Sequence, residues 1–236
     1  MKDERAFIFD AYGTLFDVNA ACRELSIEVG EKWQELSTLW RLRQVEYTWL
    51  RNSMNAYIDF WQITSDSLDY AMDTLNINNK NLRSNLLKLY LKLEAYSEVK
   101  GVLEKLKEEG FKTGILSNGS KKMLDSAVKN ANISGLLDEV ISVEECKVYK
   151  PSNKVYDLVE IKMGIKKEQV LFFSSNAWDM HAASNYGFNT IWVNRFNAKL
   201  ERLPGKPLKI VNSLEKINKI INHDQYPNAK NQIYNY

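Results

Sequence analysis

Short apolar segments, each ending in a polar residue, recur along the chain. Four of them are AFIFD (6–10), KTGILSN (112–118), QVLFFSS (169–175) and NTIWVN (189–194). A fifth apolar segment, EVISV (139–143), is also read as a strand. Continuous apolar runs of this length are typical of strands that are buried on both faces of a parallel sheet. Helical patterns lie between them, such as VKGVLEKLKEEG (99–110), which Gly110 would end. The alternation predicts an α/β fold with a doubly wound sheet.

The interval from about Val18 to Tyr96 interrupts this alternation, because it is long and has helical rather than strand periodicity. Its clearest helix, EKWQELSTLWRLRQVEYTWLRNS (31–53), carries an apolar stripe with one polar break, formed by Trp33, Leu36, Trp40, Gln44 and Tyr47. We therefore predict a helical cap over 18–96 and a core formed by 1–17 and 97–225. The polar segment 226–236 has no sustained period and is predicted to be a loosely ordered tail.

Composition excludes several classes of protein. The 236 residues carry 32 basic and 30 acidic side chains, so the net charge is +2 and no dense basic block suggests a nucleic-acid partner. No apolar run approaches the ~20 residues that span a bilayer, and the charged start MKDER is no secretory signal, so we expect a cytoplasmic protein. Cys22 and Cys146 form no CxxC pair, and His181 and His223 are the only histidines, so neither a disulfide framework nor a multi-histidine metal site is expected.

Polar residues at the ends of the predicted strands are the candidate site. Ligands of an open parallel sheet bind at the carboxyl ends of its strands, where separate pieces of the chain converge. Asp10 ends the first segment, and Lys150 precedes a proline in VYKP. The other candidates at strand ends are Ser117, Asn118, Ser174, Ser175, Asn176 and, shortly after, Asp179.

Five pieces of sequence occur in order between about residues 6 and 195: DAYGTLFD, LWRLRQVEYTWLR, LSNGS, VYKPSNKVY and SSNAWD. This ordered set resembles the haloacid dehalogenase superfamily and, within it, the 2-haloacid dehalogenases. The resemblance implies a Rossmann-like doubly wound parallel sheet core with an inserted helical cap. It also implies a homodimer that converts short L-2-haloacids into D-2-hydroxyacids and halide through an ester on Asp10.

Tyr12 distinguishes two chemistries within that superfamily. Its phosphatases carry an aspartate two residues after the nucleophile, which protonates the leaving alcohol, whereas a halide leaves as a stable anion and needs no proton. They also hold magnesium with a second aspartate near the third strand end, where this chain has Ser175 and Asn176. We therefore expect no metal and no cofactor. Two alternatives remain: a magnesium-dependent phosphatase of the same superfamily, and a non-catalytic binding protein with this fold.

The resemblance implies a set of catalytic residues: Asp10, Thr14, Arg41, Lys150, Tyr156, Ser174, Asn176 and Asp179. In this set Lys150 keeps the Asp10 carboxylate ionised, and Asp179 is the general base. Taken without the resemblance, Thr14 would equally fix the turn after Asp10, Arg41 would be an exposed helix charge, and Tyr156 would pack against the sheet.

The resemblance also implies how substrate is bound. Ser117, Asn118 and nearby backbone amides would hold the substrate carboxylate, while Arg41 and Asn118 would meet the departing halide. An apolar wall would be formed by Tyr12, Val45, Phe60 and Trp178. Leu42 stands where the family often has glutamine, which favours a less polar or larger substrate side chain.

Overall fold

Six parallel strands form one sheet in the computed structural model, which describes residues 5–217. The strands are β1 (Ala6–Phe9), β2 (Lys112–Ser117), β3 (Glu139–Ser142), β4 (Val170–Ser174), β5 (Asn189–Val193) and β6 (Lys209–Val211). Their order across the sheet is β3-β2-β1-β4-β5-β6, and every neighbouring pair is parallel. The predicted α/β fold class is confirmed. The predicted tail, 226–236, and His223 lie outside the described residues.

The central strands are buried because helices cover the sheet. Every residue of β1 and β4 is buried, as the continuous apolar runs predict. The covering helices are α6 (Val99–Glu108), α7 (Lys121–Asn130), α8 (Asn153–Met163) and α9 (Ala177–Tyr186). Helix α6 ends at Glu108, and Gly110 follows with a φ of 81°, the left-handed conformation that ends a helix at little cost.

The insert between β1 and α6 is helical. Its helices are α1 (Ala20–Glu24), α2 (Ser26–Val29), α3 (Trp33–Ser53), α4 (Phe60–Thr74) and α5 (Lys80–Tyr90). The long helix α3 begins after a 3₁₀ turn, Gly30–Lys32, and packs on α4, where the Trp40 indole N–H donates to the Thr64 carbonyl at 2.8 Å. Asp59 caps α4, because its carboxylate accepts the first free backbone N–H groups of that helix. The remaining 3₁₀ turns are Ser134–Leu136, Val143–Glu145, Lys167–Gln169 and Leu214–Lys216.

The chain leaves the sheet and returns to it at adjacent places. Phe16 and Ala95 form an isolated antiparallel bridge, and the Tyr96 N–H donates to the Leu15 carbonyl at 2.9 Å. We propose that the division into a core of 1–17 and 97–225 and a cap of 18–96 runs through this crossing. The insert would then be joined to the core by two neighbouring segments, as a hinged cap requires.

Strand β6 was not predicted from the sequence. It has three residues, two of them exposed, and it extends the sheet beyond β5. A strand at the edge of a sheet needs no continuous apolar run, because only part of its surface is covered. The continuous apolar run that indicates the other strands is therefore absent from Lys209–Val211.

Candidate active site

The site lies where the sheet changes its direction of winding. Strand β1 has β2 on one side and β4 on the other, so the loops after β1 and β4 leave a crevice between them. Asp10 directly follows β1, and its N–H donates to the Phe173 carbonyl of β4 at 2.8 Å. Gly13, with a φ of 90°, lies in the turn that comes next. The Asp10 side chain is thus placed at the crevice by the centre of the sheet.

Both oxygens of the Asp10 carboxylate accept hydrogen bonds. Lys150 Nζ donates to Oδ1 at 3.1 Å, while Thr14 Oγ1 and Asn176 Nδ2 donate to Oδ2 at 2.9 and 2.8 Å. The Thr14 hydroxyl also accepts the Ser175 N–H at 2.8 Å. The Thr14 hydroxyl therefore contacts the carboxylate and ties together the loops after β1 and β4. Only 6% of Asp10 is exposed, so its orientation is fixed by these donors.

Lys150 lies between two carboxylates. Its ammonium also donates to Asp179 Oδ2 at 2.8 Å, and the Tyr156 hydroxyl donates to Asp179 Oδ1 at 2.8 Å. Burial alone would lower the pKa of Lys150, but the Asp10 and Asp179 carboxylates raise it above its usual value. Burial raises the pKa of the Asp179 carboxyl, and the Lys150 ammonium opposes that rise. Lys150 is a buried ammonium ion and not a solvated loop lysine.

These residues do not fit a magnesium ion. A divalent cation would have to lie beside the Asp10 carboxylate and a second acid, and the Lys150 ammonium already takes that position between Asp10 and Asp179. Within residues 5–217, no group of three or more His, Cys, Asp or Glu side chains could hold a metal ion. Ser175 and Asn176 add only neutral oxygens at the end of β4.

Arg41 reaches the crevice from helix α3. Its Nη2 donates to the Tyr12 carbonyl at 3.3 Å and to Asn176 Oδ1 at 3.2 Å. Its Nη1 donates to Gln44 Oε1 at 2.8 Å, on the next turn of the same helix. The Arg41 guanidinium thus connects the insert with the residues that hold Asp10, and it is not a freely solvated helix charge.

A narrow cavity of about 10 Å³ lies beside Asp10. It is lined by Asp10, Tyr12, Arg41, Val45, Phe60, Ser117, Asn118, Lys150, Asn176 and Trp178. The Tyr12 ring packs with its centroid 5.8 Å from those of Phe60 and Tyr90, and burial raises the pKa of its hydroxyl well above the usual value. A Cβ at Gly119 would come within 2.6 Å of the Tyr12 ring, so only glycine allows this approach. Tyr12 is an apolar wall and a poor proton donor.

The polar strand-end residues also organise the loops around the cavity. Ser117 Oγ accepts the Gly119 N–H at 3.1 Å, and Asn118 Oδ1 accepts the Lys150 N–H at 2.9 Å. Ser174 Oγ accepts the Asn176 N–H at 3.2 Å. Ser117 and Asn118 line the cavity, whereas Ser174 supports it from behind. Thr14, Tyr156 and Asp179 likewise lie behind the lining residues.

Leu42, which the resemblance implies contacts substrate, does not line this cavity. Its side chain is 58% exposed and lines a separate surface groove with Gln34, Glu35, Thr38 and Leu39. Consecutive residues on an α-helix are turned by about 100° from each other, so Arg41 and Leu42 cannot both face the crevice. Val45, one turn beyond Arg41, lines the cavity instead.

The sequence model of the haloacid dehalogenase-like hydrolases matches residues 4–187, well over half of the chain. The chain belongs to this family. Among its relatives, (S)-2-haloacid dehalogenase 1 of Pseudomonas sp. (strain CBS-3) is 44% identical over 202 residues, which are 85% of this chain and 89% of that protein. (S)-2-haloacid dehalogenase 4A of Burkholderia cepacia is 43% identical over 192 residues, 81% of this chain and 83% of the relative. The recognised resemblance is confirmed.

Solved structures of the haloacid dehalogenase family match the fold closely. The L-2-haloacid dehalogenase of Xanthobacter autotrophicus with chloropropionic acid covalently bound superposes with a TM-score of 0.87 at 30% identity. The match covers 94% of this chain and 99% of that one. In the described part of this family member, none of the helices is long and apolar enough to cross a membrane.

Four residues that support the site of this haloacid dehalogenase-like hydrolase were not identified as functional from the sequence. They are Gln44, Asn52, Glu98 and Arg195. Gln44 is the one polar residue in the apolar stripe of α3, and this break in the pattern could have indicated a functional role. Arg195 follows the last polar residue of the β5 segment; its guanidinium donates to the Thr14 carbonyl at 2.8 Å and pairs with Glu98 at 2.7 Å. The side-chain amide of Asn52 pairs with both the N–H and the carbonyl of Tyr149, the residue before Lys150, and no sequence pattern indicates it.

A second cavity, of about 790 Å³, lies next to the first. Trp178 lines both, and its ring meets that of Trp49 of helix α3 edge to face, with centroids 5.4 Å apart. His181 of helix α9 borders the larger cavity and is otherwise structural, since its Nδ1 lies 2.9 Å from the Gly205 carbonyl. Trp178 therefore separates the small cavity beside Asp10 from a larger space at the boundary of insert and core.

Proposed function

We propose that this chain hydrolyses short L-2-haloacids to D-2-hydroxyacids and halide, with Asp10 as the nucleophile. The observation that carries the proposal is the Asp10 carboxylate, buried beside an apolar wall and held by Thr14, Asn176 and an ammonium ion in place of a metal. The residue two places on is Tyr12, whose buried hydroxyl is a poor acid. This arrangement suits a leaving group that needs no proton.

In the first step, an Asp10 oxygen attacks C2 of the substrate from the side opposite the halogen. The new C–O bond forms as the carbon–halogen bond breaks, and the halide leaves with the electron pair. Attack from the opposite side inverts C2, so an L-haloacid gives a D-configured ester. The covalently bound chloropropionic acid in the Xanthobacter autotrophicus relative supports such an intermediate.

In the second step, water attacks the carbonyl carbon of the Asp10 ester. One proton of the attacking water is taken up by Asp179 as general base. The tetrahedral intermediate then collapses, the bond from its carbon to the ester oxygen breaks, and the leaving alkoxide takes the second proton of that water, which releases the hydroxyacid and restores the Asp10 carboxylate. Asp179 lies behind Lys150, and its two oxygens accept from the Lys150 ammonium and the Tyr156 hydroxyl, each at 2.8 Å, so the proton reaches it by relay: Lys150 Nζ gives a proton to Asp179 as it takes one from the attacking water. Tyr156 and Lys150 hold that carboxylate, and the Lys150 ammonium also binds the Asp10 carboxylate.

The lining residues divide between the two ends of the substrate. Ser117 and Asn118, with the neighbouring amides, bind its carboxylate, and Arg41 with Asn118 meets the halide as it gains negative charge. Tyr12, Val45, Phe60 and Trp178 surround the apolar carbon. We also propose a homodimer in the cytoplasm with no nucleic-acid partner, on the basis of the family resemblance and the near-neutral charge of +2.

A single turnover in oxygen-labelled water, with enzyme in excess, tests this mechanism. If the Asp10 carboxylate displaces halide, the label enters the peptide that contains Asp10, and the new hydroxyl of the product stays unlabelled. The Asp10→Asn variant, of nearly equal volume, is the control and should form no ester. Label found directly in the product hydroxyl would mean that water attacks C2, and the covalent mechanism would be discarded.

Chelation tests the competing magnesium-dependent phosphatase. Halide release from 2-chloropropionate should continue after exhaustive treatment with EDTA, since Lys150 supplies the cation beside Asp10. The same preparation is assayed with a phosphate monoester as the comparison. Halide release that stops on chelation and returns with magnesium would contradict the proposed function.

A further inference from the structure

Gln44 is a fully buried polar side chain in the middle of helix α3. Its carbonyl oxygen accepts two hydrogen bonds, from Arg41 Nη1 at 2.8 Å and from the Tyr90 hydroxyl at 3.0 Å. Its amide nitrogen donates to Thr64 Oγ1 at 2.8 Å, and that hydroxyl donates to the Phe60 carbonyl. Gln44 thus joins helices α3, α4 and α5 at one point.

Packing alone does not account for an amide at this position. The other residues of the stripe, Trp33, Leu36, Trp40 and Tyr47, are hydrophobic, and a leucine or methionine would fill similar space without the cost of burying an amide. A buried polar group is tolerated when its hydrogen bonds are made, and here Oε1 receives two donors. One of those donors is Arg41, which links Gln44 to the cavity beside Asp10.

The hydrogen-bond acceptors of Arg41 are all neutral. They are Gln44 Oε1, the Tyr12 carbonyl and Asn176 Oδ1, and no carboxylate forms an ion pair with Arg41 anywhere in residues 5–217. The other cations at the site differ, because Lys150 is paired with two aspartates and Arg195 with Glu98. Three neutral acceptors therefore fix the orientation of the Arg41 guanidinium, and none of them neutralises its positive charge.

We propose that Gln44 is the positioning residue for Arg41: it holds the guanidinium against Tyr12 and Asn176 and, being uncharged, leaves its positive charge available to an anion in the cavity. This inference rests on the proposed function, in which that anion is the departing halide. A glutamate would fit the same space and accept the same hydrogen bonds, but it would neutralise Arg41. The choice of amide over carboxylate is thus a requirement of anion binding.

Two substitutions separate position from charge. Gln44→Glu keeps the acceptor for Arg41 and Tyr90, and the Thr64 hydroxyl can rotate to donate to it, so the melting temperature should stay near that of the wild type. Its kcat/KM should fall about tenfold or more, because a carboxylate in contact with Arg41 cancels the charge offered to the halide. Gln44→Met preserves the volume and leaves Arg41 positively charged, but it removes the acceptor that orients the guanidinium. Its kcat should therefore fall by a larger factor than its KM rises.

Thr48→Val is the matched control. Thr48 is equally buried on helix α3, and its hydroxyl donates only to the Val45 carbonyl of the same helix, at 2.6 Å. It should change stability without changing kcat/KM or halide binding. Bromide binding, followed by the line width of the bromide magnetic resonance signal, provides a readout that needs no turnover, and Gln44→Glu should weaken it about tenfold relative to wild type.

The outcomes distinguish this inference from the proposed function. If the wild type releases halide and Gln44→Glu does so equally fast, the function stands and the inference fails. If the wild type releases no halide, the proposed function fails, and bromide binding then tests the inference. Equal bromide binding by wild type and Gln44→Glu overturns the inference, while weaker binding by Gln44→Glu supports it. If Gln44→Glu does not fold, Gln44→Met decides, since a kcat equal to that of Thr48→Val overturns the positioning role.

Discussion

The charge on Asp179 depends on opposing effects at one buried carboxyl. Burial favours the protonated form and raises the pKa, the Lys150 ammonium favours the carboxylate, and the Asp10 charge raises the pKa further. The net pKa lies above the ordinary aspartate value of about 3.9. A carboxylate with a raised pKa is a stronger base, which suits the second step of the proposed reaction.

Asp179 therefore predicts a pH effect on ester hydrolysis. As pH falls through the raised pKa of Asp179, this residue becomes protonated and the second step slows, so the ester on the Asp10 peptide should accumulate. This accumulation should begin at a higher pH than the ordinary pKa of an aspartate would give. Asp179→Asn should slow the step by on the order of a hundredfold or more and remove this pH dependence. Mass measurement of the Asp10 peptide during turnover checks both. An ester fraction in the wild type that does not change with pH would contradict the prediction.

The residues at strand ends were predictable, whereas their partners were not. Parallel strands end at one edge of the sheet, so Asp10, Ser117 and Asn176 had to converge once the strands were recognised. The resemblance gives the position of Leu42 in the sequence but not the direction in which that helix residue faces. Gln44 was visible as a polar break, but its partners on two other helices depend on helix packing that periodicity does not specify.

Helices α3 and α9 meet across the boundary between insert and core at Trp49 and Trp178. The cavity beside Asp10, about 10 Å³, has room for about one water molecule, while the neighbouring one is far larger. Binding of a haloacid thus requires side chains to move, and Trp178 is shared by both cavities. In the proposed function, its indole would limit how far a substrate chain can extend from C2.

Removing that indole should change the preference for substrate length. Trp178→Ala joins the two cavities, so kcat/KM for 2-bromohexanoate relative to 2-bromopropionate should rise several-fold, given about 0.8 kcal/mol for each methylene newly buried. Trp49→Ala is the control, because Trp49 lines only the larger cavity and its loss leaves the small one intact. A ratio that does not change in Trp178→Ala, or that rises equally in both variants, would contradict this role for Trp178.

Across the whole molecule, the ion pair of Arg195 and Glu98 lies where the chain segments on either side of the insert come together. Arg195 donates to the Thr14 carbonyl and lies over the Tyr96 ring, with its guanidinium carbon 3.7 Å from the centroid. Burial would raise the pKa of Glu98, but hydrogen bonds from the backbone and the Arg195 charge lower it overall. The pair was not predictable, since its members are 97 positions apart.

The lowered pKa of Glu98 predicts a stability effect in acid. A carboxyl whose pKa is lower in the folded state stabilises it above the unfolded pKa, about 4.3, and this contribution is lost as pH falls through the folded value. The melting temperature of Glu98→Gln should therefore be lower than wild type at neutral pH, and the difference should shrink below about pH 4. Glu104→Gln, whose partner Lys100 is exposed, should show little change at either pH. If the difference in melting temperature between Glu98→Gln and wild type stayed the same at every pH, the lowered pKa of Glu98 would not contribute to stability.

The charges that meet around Asp10 also decide how the enzyme finds its substrate. Two carboxylates, Asp10 and Asp179, are balanced by two cations, Lys150 and Arg41, so the resting site is electrically neutral as a whole. Opposite charges this close cancel beyond the Debye length, about 10 Å at about 0.1 M salt. An anionic haloacid is then not drawn in from a distance and meets positive charge only on arrival. Consequently kcat/KM should be almost independent of the concentration of a non-halide salt, unlike that of an enzyme that steers its substrate electrostatically.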